Sequence, residues 1–165
     1  MTAALHPYCG AIEGSVHRYA LRVFYEDTDA GGVVYHANYL RWMERARSDL
    51  VDLLGIDQAQ ALAEGTGLYT VAELAIRYHR PARLGETVVV ETRAVSVGRV
   101  SCTLEQRILR DDQVLVDATV KIGFITPAGK PVRQPQPWQD AFAAMVSPSP
   151  VPPPVPASAE PEGPQ

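Results

Sequence analysis

The sequence is poor in cysteine, in metal-ligand patterns and in long apolar runs. Only Cys9 and Cys102 occur among 165 residues, and they lie far apart, so no disulfide framework is expected. The four histidines show no spacing such as HExxH and no CxxC pair is present, so neither a metal site nor a cofactor is predicted. A GxSxG motif is also missing, which argues against serine catalysis.

No segment approaches the roughly 20 consecutive apolar residues that a membrane-spanning helix needs. At most a peripheral association with a membrane is therefore expected. Residues 1–19 contain no basic region followed by an apolar run, so no secretory signal is predicted. Together with the two isolated cysteines, this pattern favours a reducing, cytoplasmic setting.

Basic residues are absent from the end of the chain. No Lys or Arg follows Arg133, whereas Asp140, Glu160 and Glu162 do. The part up to Arg133 therefore carries 15 basic and 16 acidic residues and is almost neutral. Binding to nucleic acid requires a clustered cationic surface, so no nucleic-acid partner is expected.

Hydrophobic periodicity predicts one strand, a long helix and four further strands. Residues 17–25 alternate as a strand does, and residues 38–54 have helical spacing. The remaining predicted elements are a short helix at 57–64 and antiparallel strands at 68–79, 86–97, 100–108 and 114–124. One helix cannot cover both faces and both edges of such a sheet, so self-association is predicted.

Composition divides the chain into three parts. Residues 1–15 lack periodicity and are expected to be loose, and residues 16–133 are expected to form the single folded domain. Residues 134–165 are rich in proline and are predicted to be a disordered, solvated tail, with room for one or two helical turns at 137–146. Removing this tail is expected to leave turnover unchanged.

The loop between the first strand and the long helix carries the candidate chemistry. Residues 25–39 combine acidic side chains, a Gly-Gly pair, a histidine and three tyrosines. Gly31 and Gly32 can adopt positive φ and allow another molecule to approach the backbone. The helix that follows offers unpaired N–H groups and a partial positive charge. A carboxylate near those donors can attack a carbonyl that they polarise, or drive water against it.

The run YEDTDAGGVVYHANYLRWMERAR at 25–47, followed by YHRPARLGE at 78–86, resembles the acyl-CoA thioesterases of the hotdog fold. Within them it most resembles the Tol–Pal-associated branch of the 4-hydroxybenzoyl-CoA thioesterase family. The resemblance covers roughly residues 16–124. It implies an α+β fold in which a five-stranded antiparallel sheet wraps around one long central helix. It also implies a homodimer or homotetramer with sites built between subunits.

The same resemblance implies hydrolysis of an acyl-CoA thioester, with an acyl carrier protein thioester as the open alternative. The sequence does not identify the acyl group, which can be a short aliphatic, a long aliphatic or an aromatic acid. A hotdog dehydratase is a second possibility, although such enzymes pair a His with a helix carboxylate. A third is a non-hydrolytic acyl-thioester binding or scaffolding protein near the inner membrane.

The resemblance assigns three residues to catalysis. Asp29 falls on the position of the catalytic carboxylate, as nucleophile or general base. His36 falls at the helix start, where its backbone N–H polarises the carbonyl, and Tyr25 takes an orienting role. Each has a plainer interpretation: a turn aspartate bonded to its own backbone, a capping imidazole and a surface aromatic.

A further set of residues is assigned to substrate binding. Gly31 and Gly32 would border the substrate, and Tyr39 would line an acyl pocket unless it is simply core. Three arginines are candidates for the phosphates of coenzyme A, against the alternative of solvated charges: Arg77, Arg80 and Arg83. Non-catalytic roles are expected for three further residues: Asp27 as a solvated carboxylate or a loop cap, Asn38 as a helix N-cap and Glu44 as an ion-pair partner.

Overall fold

The structure is a computed structural model that describes residues 9–146, and it contains one antiparallel sheet wrapped against a long helix. The elements are β1 (Ala11–Glu13), β2 (Val16–Arg22), α1 (His36–Leu53), α2 (Gln58–Ala63), β3 (Leu68–Tyr78), β4 (Thr87–Val97), β5 (Ser101–Arg110), β6 (Gln113–Ile125) and α3 (Gln136–Ala144). The strand order is β1-β2-β4-β5-β6-β3. The expected α+β class and the single long helix are confirmed.

The sheet has six strands rather than the expected five. The additional strand, β1, lies within residues 1–15, which were expected to be loose. Three residues are too few for a periodic signal, and tertiary contacts hold this strand in place. Just before it, the Gly10 N–H donates to the Asp49 carboxylate on α1 at 2.9 Å, and Asp49 also pairs with the buried His17 side chain at 2.6 Å. Residues 1–8 lie outside the described part of the chain.

Close packing around Gly10 predicts that Gly10→Ala destabilises the fold. A Cβ there would lie 2.6 Å from the Asp49 carboxylate and 2.7 Å from His17 Nε2. Overpacking of this kind lowers the free energy of unfolding by about 1–3 kcal/mol, which urea denaturation would measure. Gly123→Ala is the matched control, because a Cβ at Gly123 would meet no atom within 4 Å. Equal stability of the two variants would contradict this account of the packing.

The helix α1 buries one face against the sheet. Tyr39, Trp42, Met43, Ala46 and Leu50 recur at helical spacing and are at most 3% exposed. The helix begins at His36, not after Asn38, so the assignment of Asn38 as N-cap was wrong. Asn38 lies in the first turn, where its side-chain amide donates to the Asp27 carbonyl oxygen at 2.9 Å.

The folded part continues beyond residue 133. Phe142 of α3 is fully buried, and it belongs to a core cluster with Leu50 of α1 and Leu104 of β5. Proline-rich composition concealed this packing. Removing residues 134–165 would therefore expose core surface, contrary to the expectation that this segment is dispensable. The rest of the expected tail, residues 147–165, lies outside the described part.

The two cysteines have different environments. Both are free; Cys9 is exposed, whereas Cys102 is buried and burial raises the pKa of its thiol to about 11. Since only the thiolate is nucleophilic and the raised pKa keeps Cys102 protonated at pH 8, we expect it to resist thiol reagents there. Titration with such a reagent should detect one reactive thiol in the native protein and two after unfolding. Two fast-reacting native thiols would contradict the burial of Cys102.

β3 forms one edge of the sheet and pairs only with β6. Three large apolar residues on this strand are exposed: Val71, Leu74 and Tyr78. An edge strand with unpaired backbone groups and apolar side chains is a favourable surface for association.

Within residues 9–146, the structure contains no helix long and apolar enough to cross a membrane.

Candidate active site

The loop between β2 and α1 closes in a tight hairpin. Thr28 and Val34 form an isolated antiparallel bridge, and the Asp29 N–H donates to the Val33 carbonyl oxygen at 2.9 Å. The Gly32 N–H then donates to the Asp29 carbonyl oxygen at 3.0 Å, which closes a four-residue turn. Gly32 has a φ of 72°, a conformation that strongly favours glycine. The four residues of the turn, 29–32, are therefore the Asp-Ala-Gly-Gly sequence.

Asp27 fastens this hairpin to the first turn of α1. Its carboxylate accepts the Phe24 N–H at 2.8 Å, and its carbonyl oxygen accepts both the Tyr35 N–H and the Asn38 side-chain amide at 2.9 Å. Asn38 is only 6% exposed, so its bond to the Asp27 carbonyl oxygen is partly sheltered from water. The structural role expected for Asp27 agrees with these contacts, which fix the turn at Asp29 close to the helix start.

Asp29 has an exposed side chain at the corner of the turn. One carboxylate oxygen, Oδ1, accepts the Gly31 N–H at 2.8 Å, which is the local bond expected of a turn aspartate. The other oxygen has no hydrogen-bond partner in residues 9–146 and remains available to a substrate. A Cβ at Gly31 would lie 3.0 Å from Asp29 Oδ1, so the glycine also leaves room for this carboxylate.

The start of α1 is open. The residue before it, Tyr35, is extended, and no side chain in the described range caps the helix. The N–H groups of His36 and Ala37 have no carbonyl within the helix to bond, so they carry the positive end of the helix dipole. The Tyr35 and His36 rings lie against each other with centroids 4.4 Å apart. This helix end can bind a carbonyl oxygen or an anion.

Sequence analysis missed Tyr78, at the end of β3. Its hydroxyl donates to the His36 carbonyl oxygen at 3.1 Å, and its ring packs edge-on against Tyr39 at 5.7 Å. These contacts join the edge strand to the first turn of α1. Tyr78 is the first residue of the YHRPARLGE run, and this position is the signal that the sequence offers for it.

The side chains of the three expected catalytic residues do not bond to one another. The Tyr25 side chain is 83% exposed, and its carbonyl oxygen accepts the Thr28 hydroxyl at 2.9 Å. Within residues 9–146, no hydrogen bond joins the side chains of Tyr25, Asp29 and His36. They belong to one loop and to the first turn of the helix that follows it.

The expected substrate-binding residues lie in different places. Tyr39 is 3% exposed and its hydroxyl accepts the Ala82 N–H at 2.9 Å, so it belongs to the core rather than to a pocket wall. Burial raises the pKa of this hydroxyl. Arg83 forms an isolated bridge with Val33 and so adjoins the candidate loop, whereas Arg77 stands opposite Asp117 on β6. Arg80 follows β3 and is exposed.

The family model described as the thioesterase superfamily matches residues 31–116. An acyl-CoA thioesterase, YbgC, of Haemophilus influenzae is 41% identical over 125 residues, or 75% of this chain and 92% of that protein. An acyl-CoA thioester hydrolase, also YbgC, of Escherichia coli O157:H7 is 35% identical over 68% of this chain and 84% of that protein.

Among solved structures, a probable thioesterase from Bartonella henselae is 35% identical, with a TM-score of 0.69 over 73% of this chain and 99% of that one. A 4-hydroxybenzoyl-CoA thioesterase in complex with 4-hydroxybenzoyl-CoA has a TM-score of 0.73 at 17% identity, over 78% of this chain and 99% of that one, which demonstrates the shared fold alone. The family match begins at Gly31, two residues after Asp29.

Proposed function

This chain belongs to the thioesterase superfamily and is an acyl-CoA thioesterase, and from this premise we propose that Asp29 and the open start of α1 perform the hydrolysis. One observation carries the proposal. The bonds of Asp27 to Phe24, Tyr35 and Asn38 tie the loop that carries Asp29 to the first turn of α1, whose first N–H groups have no cap among the described residues. These bonds support the proposal that the carboxylate and the helix end act on the same carbonyl group.

In this mechanism the thioester carbonyl oxygen accepts the His36 N–H, and the developing negative charge is stabilised by the helix end. Two routes fit the free carboxylate oxygen of Asp29. It can attack the carbonyl carbon, expel the coenzyme A thiolate and form a mixed anhydride that water then splits. Alternatively it takes a proton from water, whose oxygen attacks, and that proton passes to the thiolate. A thiol has a pKa of about 8.5 and leaves without a strong acid.

We propose that Arg83 binds a phosphate group of coenzyme A. Its backbone adjoins the candidate loop through Val33, and its side chain is exposed. Guanidinium groups bind phosphates well, so this arginine is the best placed of the three candidates. Arg77 and Arg80 remain proposals of the same kind without a comparable contact to the loop.

We propose a homodimer or homotetramer in the cytoplasm as the working form. The exposed edge of β3 and the open surroundings of Asp29 both support a second copy that completes the site. The two free cysteines support a reducing compartment. Membership of the Tol–Pal-associated branch is proposed from the sequence motif and from the similarity to YbgC proteins.

The test of function is a hydrolysis assay on the full chain with a panel of acyl-CoAs, aliphatic and aromatic. Release of free thiol is followed with a chromogenic reagent, and the acid product is identified by mass spectrometry. We expect equal amounts of thiol and free acid, with saturation kinetics. A 3-hydroxyacyl-CoA is added to the panel to test for a dehydratase, which would eliminate water from it and give an unsaturated acyl-CoA. Tight binding without turnover would indicate a binding protein.

A further inference from the structure

The start of α1 presents two N–H groups that have no hydrogen-bond partner in residues 9–146, those of His36 and Ala37. The next N–H, that of Asn38, already donates to the Tyr35 carbonyl oxygen at 2.9 Å. In the proposed mechanism the His36 N–H binds the thioester carbonyl oxygen. The Ala37 N–H follows it directly in the chain and is therefore the remaining candidate for a second donor to the same oxygen.

The Tyr78 hydroxyl bonds to the peptide unit that carries this second donor. It donates to the His36 carbonyl oxygen at 3.1 Å. As the carbonyl of the first residue of α1, the same oxygen also accepts the N–H of Leu40, four residues on, so the helix alone already satisfies it. The His36 carbonyl and the Ala37 N–H belong to one conjugated peptide unit. A further bond to the oxygen draws electron density from the N–H, which makes it a stronger donor.

The surroundings of Tyr78 hold its hydroxyl in place. Its backbone pairs with Val116 in the sheet, and its ring packs edge-on against Tyr39 with centroids 5.7 Å apart. Tyr39 is itself buried and its hydroxyl accepts the Ala82 N–H at 2.9 Å. Burial raises the pKa of the Tyr78 hydroxyl, so it remains protonated at neutral pH and can donate. The bond to α1 is therefore formed by the chain itself, before any substrate binds.

We propose that Tyr78 is a positioning residue for thioester hydrolysis, which polarises the His36–Ala37 peptide so that the Ala37 N–H becomes the second donor to the thioester carbonyl oxygen. This inference rests on the proposed function, because it places that carbonyl at the start of α1. Negative charge on the oxygen is larger in the transition state than in the bound thioester, so a stronger donor favours the transition state. The Tyr78 hydroxyl itself does not touch the substrate.

The expected effect of the hydroxyl on the rate is modest. Loss of one donor to an oxyanion lowers kcat by about 10²–10³-fold. One further bond strengthens a chain of hydrogen bonds by about 10–30%. Removing the Tyr78 hydroxyl should therefore lower kcat about two- to eightfold. KM should change little, because the carbonyl of the bound thioester carries less charge than the transition state.

Tyr78→Phe removes the hydroxyl and keeps the ring that packs against Tyr39. Tyr69→Phe is the matched control, because Tyr69 lies on the same strand and its hydroxyl donates at 2.7 Å to Gln134 instead of α1. The full-length variants are assayed with butyryl-, octanoyl- and benzoyl-CoA, and thermal unfolding checks the fold. Each variant loses one hydrogen bond of β3, but we expect a lower kcat in Tyr78→Phe alone.

Infrared spectroscopy distinguishes polarisation from a purely structural role. The acyl-CoA of these three with the highest kcat is labelled isotopically at its carbonyl carbon and bound to Asp29→Asn protein, with and without Tyr78→Phe. We expect the carbonyl stretch at a higher wavenumber without the hydroxyl. With 3-fluorotyrosine at position 78, whose more acidic hydroxyl is a stronger donor, we expect a lower wavenumber. This replacement keeps the ring and the bond, and it decides the outcome if Tyr78→Phe does not fold.

An unchanged carbonyl frequency in the folded variants would overturn this inference, whatever happens to kcat. A higher KM with unchanged kcat in Tyr78→Phe would also overturn it, because the hydroxyl would then act in substrate binding. Both results leave the proposed function intact if Asp29→Asn lowers kcat as expected. Absence of hydrolysis by the wild type with every acyl-CoA, or full activity of folded Asp29→Asn protein, would overturn both.

Discussion

Asp29→Asn is expected to lower kcat by about 10²–10⁴-fold, the contribution typical of a carboxylate acting in proton transfer. The substitution removes the charge and the basicity of the side chain but keeps its shape. Its amide oxygen can still accept the Gly31 N–H, as Oδ1 does at 2.8 Å, so the turn is retained. The side chain is exposed, and the melting temperature should therefore change little. Steady-state thiol release and thermal unfolding measure the two effects.

Glu26→Gln provides the matched control for Asp29→Asn. Glu26 is an exposed acid in the same loop, three residues earlier, and removing its charge tests whether the general negative charge of the loop matters. We expect its kcat to remain within about threefold of the wild type, as for a surface change of under 1 kcal/mol. Full activity of folded Asp29→Asn protein would remove Asp29 from the mechanism.

His36→Pro is expected to lower kcat by about 10²–10³-fold through the loss of one backbone donor. Proline is well tolerated at the first position of a helix, because the N–H there has no partner within the helix. The preceding residue must be extended, and Tyr35 already is, with φ of −62° and ψ of 133°. The substitution therefore deletes the proposed carbonyl-binding N–H with little strain on α1.

His36→Ala separates the two possible roles of this residue. It removes the imidazole and retains the N–H, so its loss of kcat should be at least about 10-fold smaller than that of His36→Pro. Circular dichroism and thermal unfolding establish that α1 is intact in both variants. Equal losses in the two variants would assign the effect to the side chain instead of the backbone.

Local periodicity predicted most of the fold. The alternating segments became β2 to β6, and the helical spacing of Trp42, Met43 and Ala46 gave α1 its buried face. The features that escaped prediction are those that depend on tertiary contacts. β1 was not predicted and is held through Gly10 and Asp49. The helical turns of α3 were allowed for, but not the burial of Phe142 in the core, because the composition of that segment resembles a linker.

The candidate site was predicted in outline only. The Asp-Ala-Gly-Gly turn and the nearby helix start follow from the loop sequence, because glycine conformation and helix termini are local properties. Contacts between distant residues are not local. The bond of Tyr78 to His36 spans 42 positions, so the contact leaves no signal in a single sequence.

The most direct test of the central claim is a crystal structure of the Asp29→Asn protein with an acyl-CoA substrate bound. We expect the thioester carbonyl oxygen within about 3.1 Å of the His36 nitrogen, as in an ordinary N–H···O hydrogen bond. The carbonyl carbon should lie about 3–3.5 Å from the side chain at position 29, or one water molecule away from it. A carbonyl bound elsewhere, with position 29 turned away from it in the assembled protein, would contradict the account.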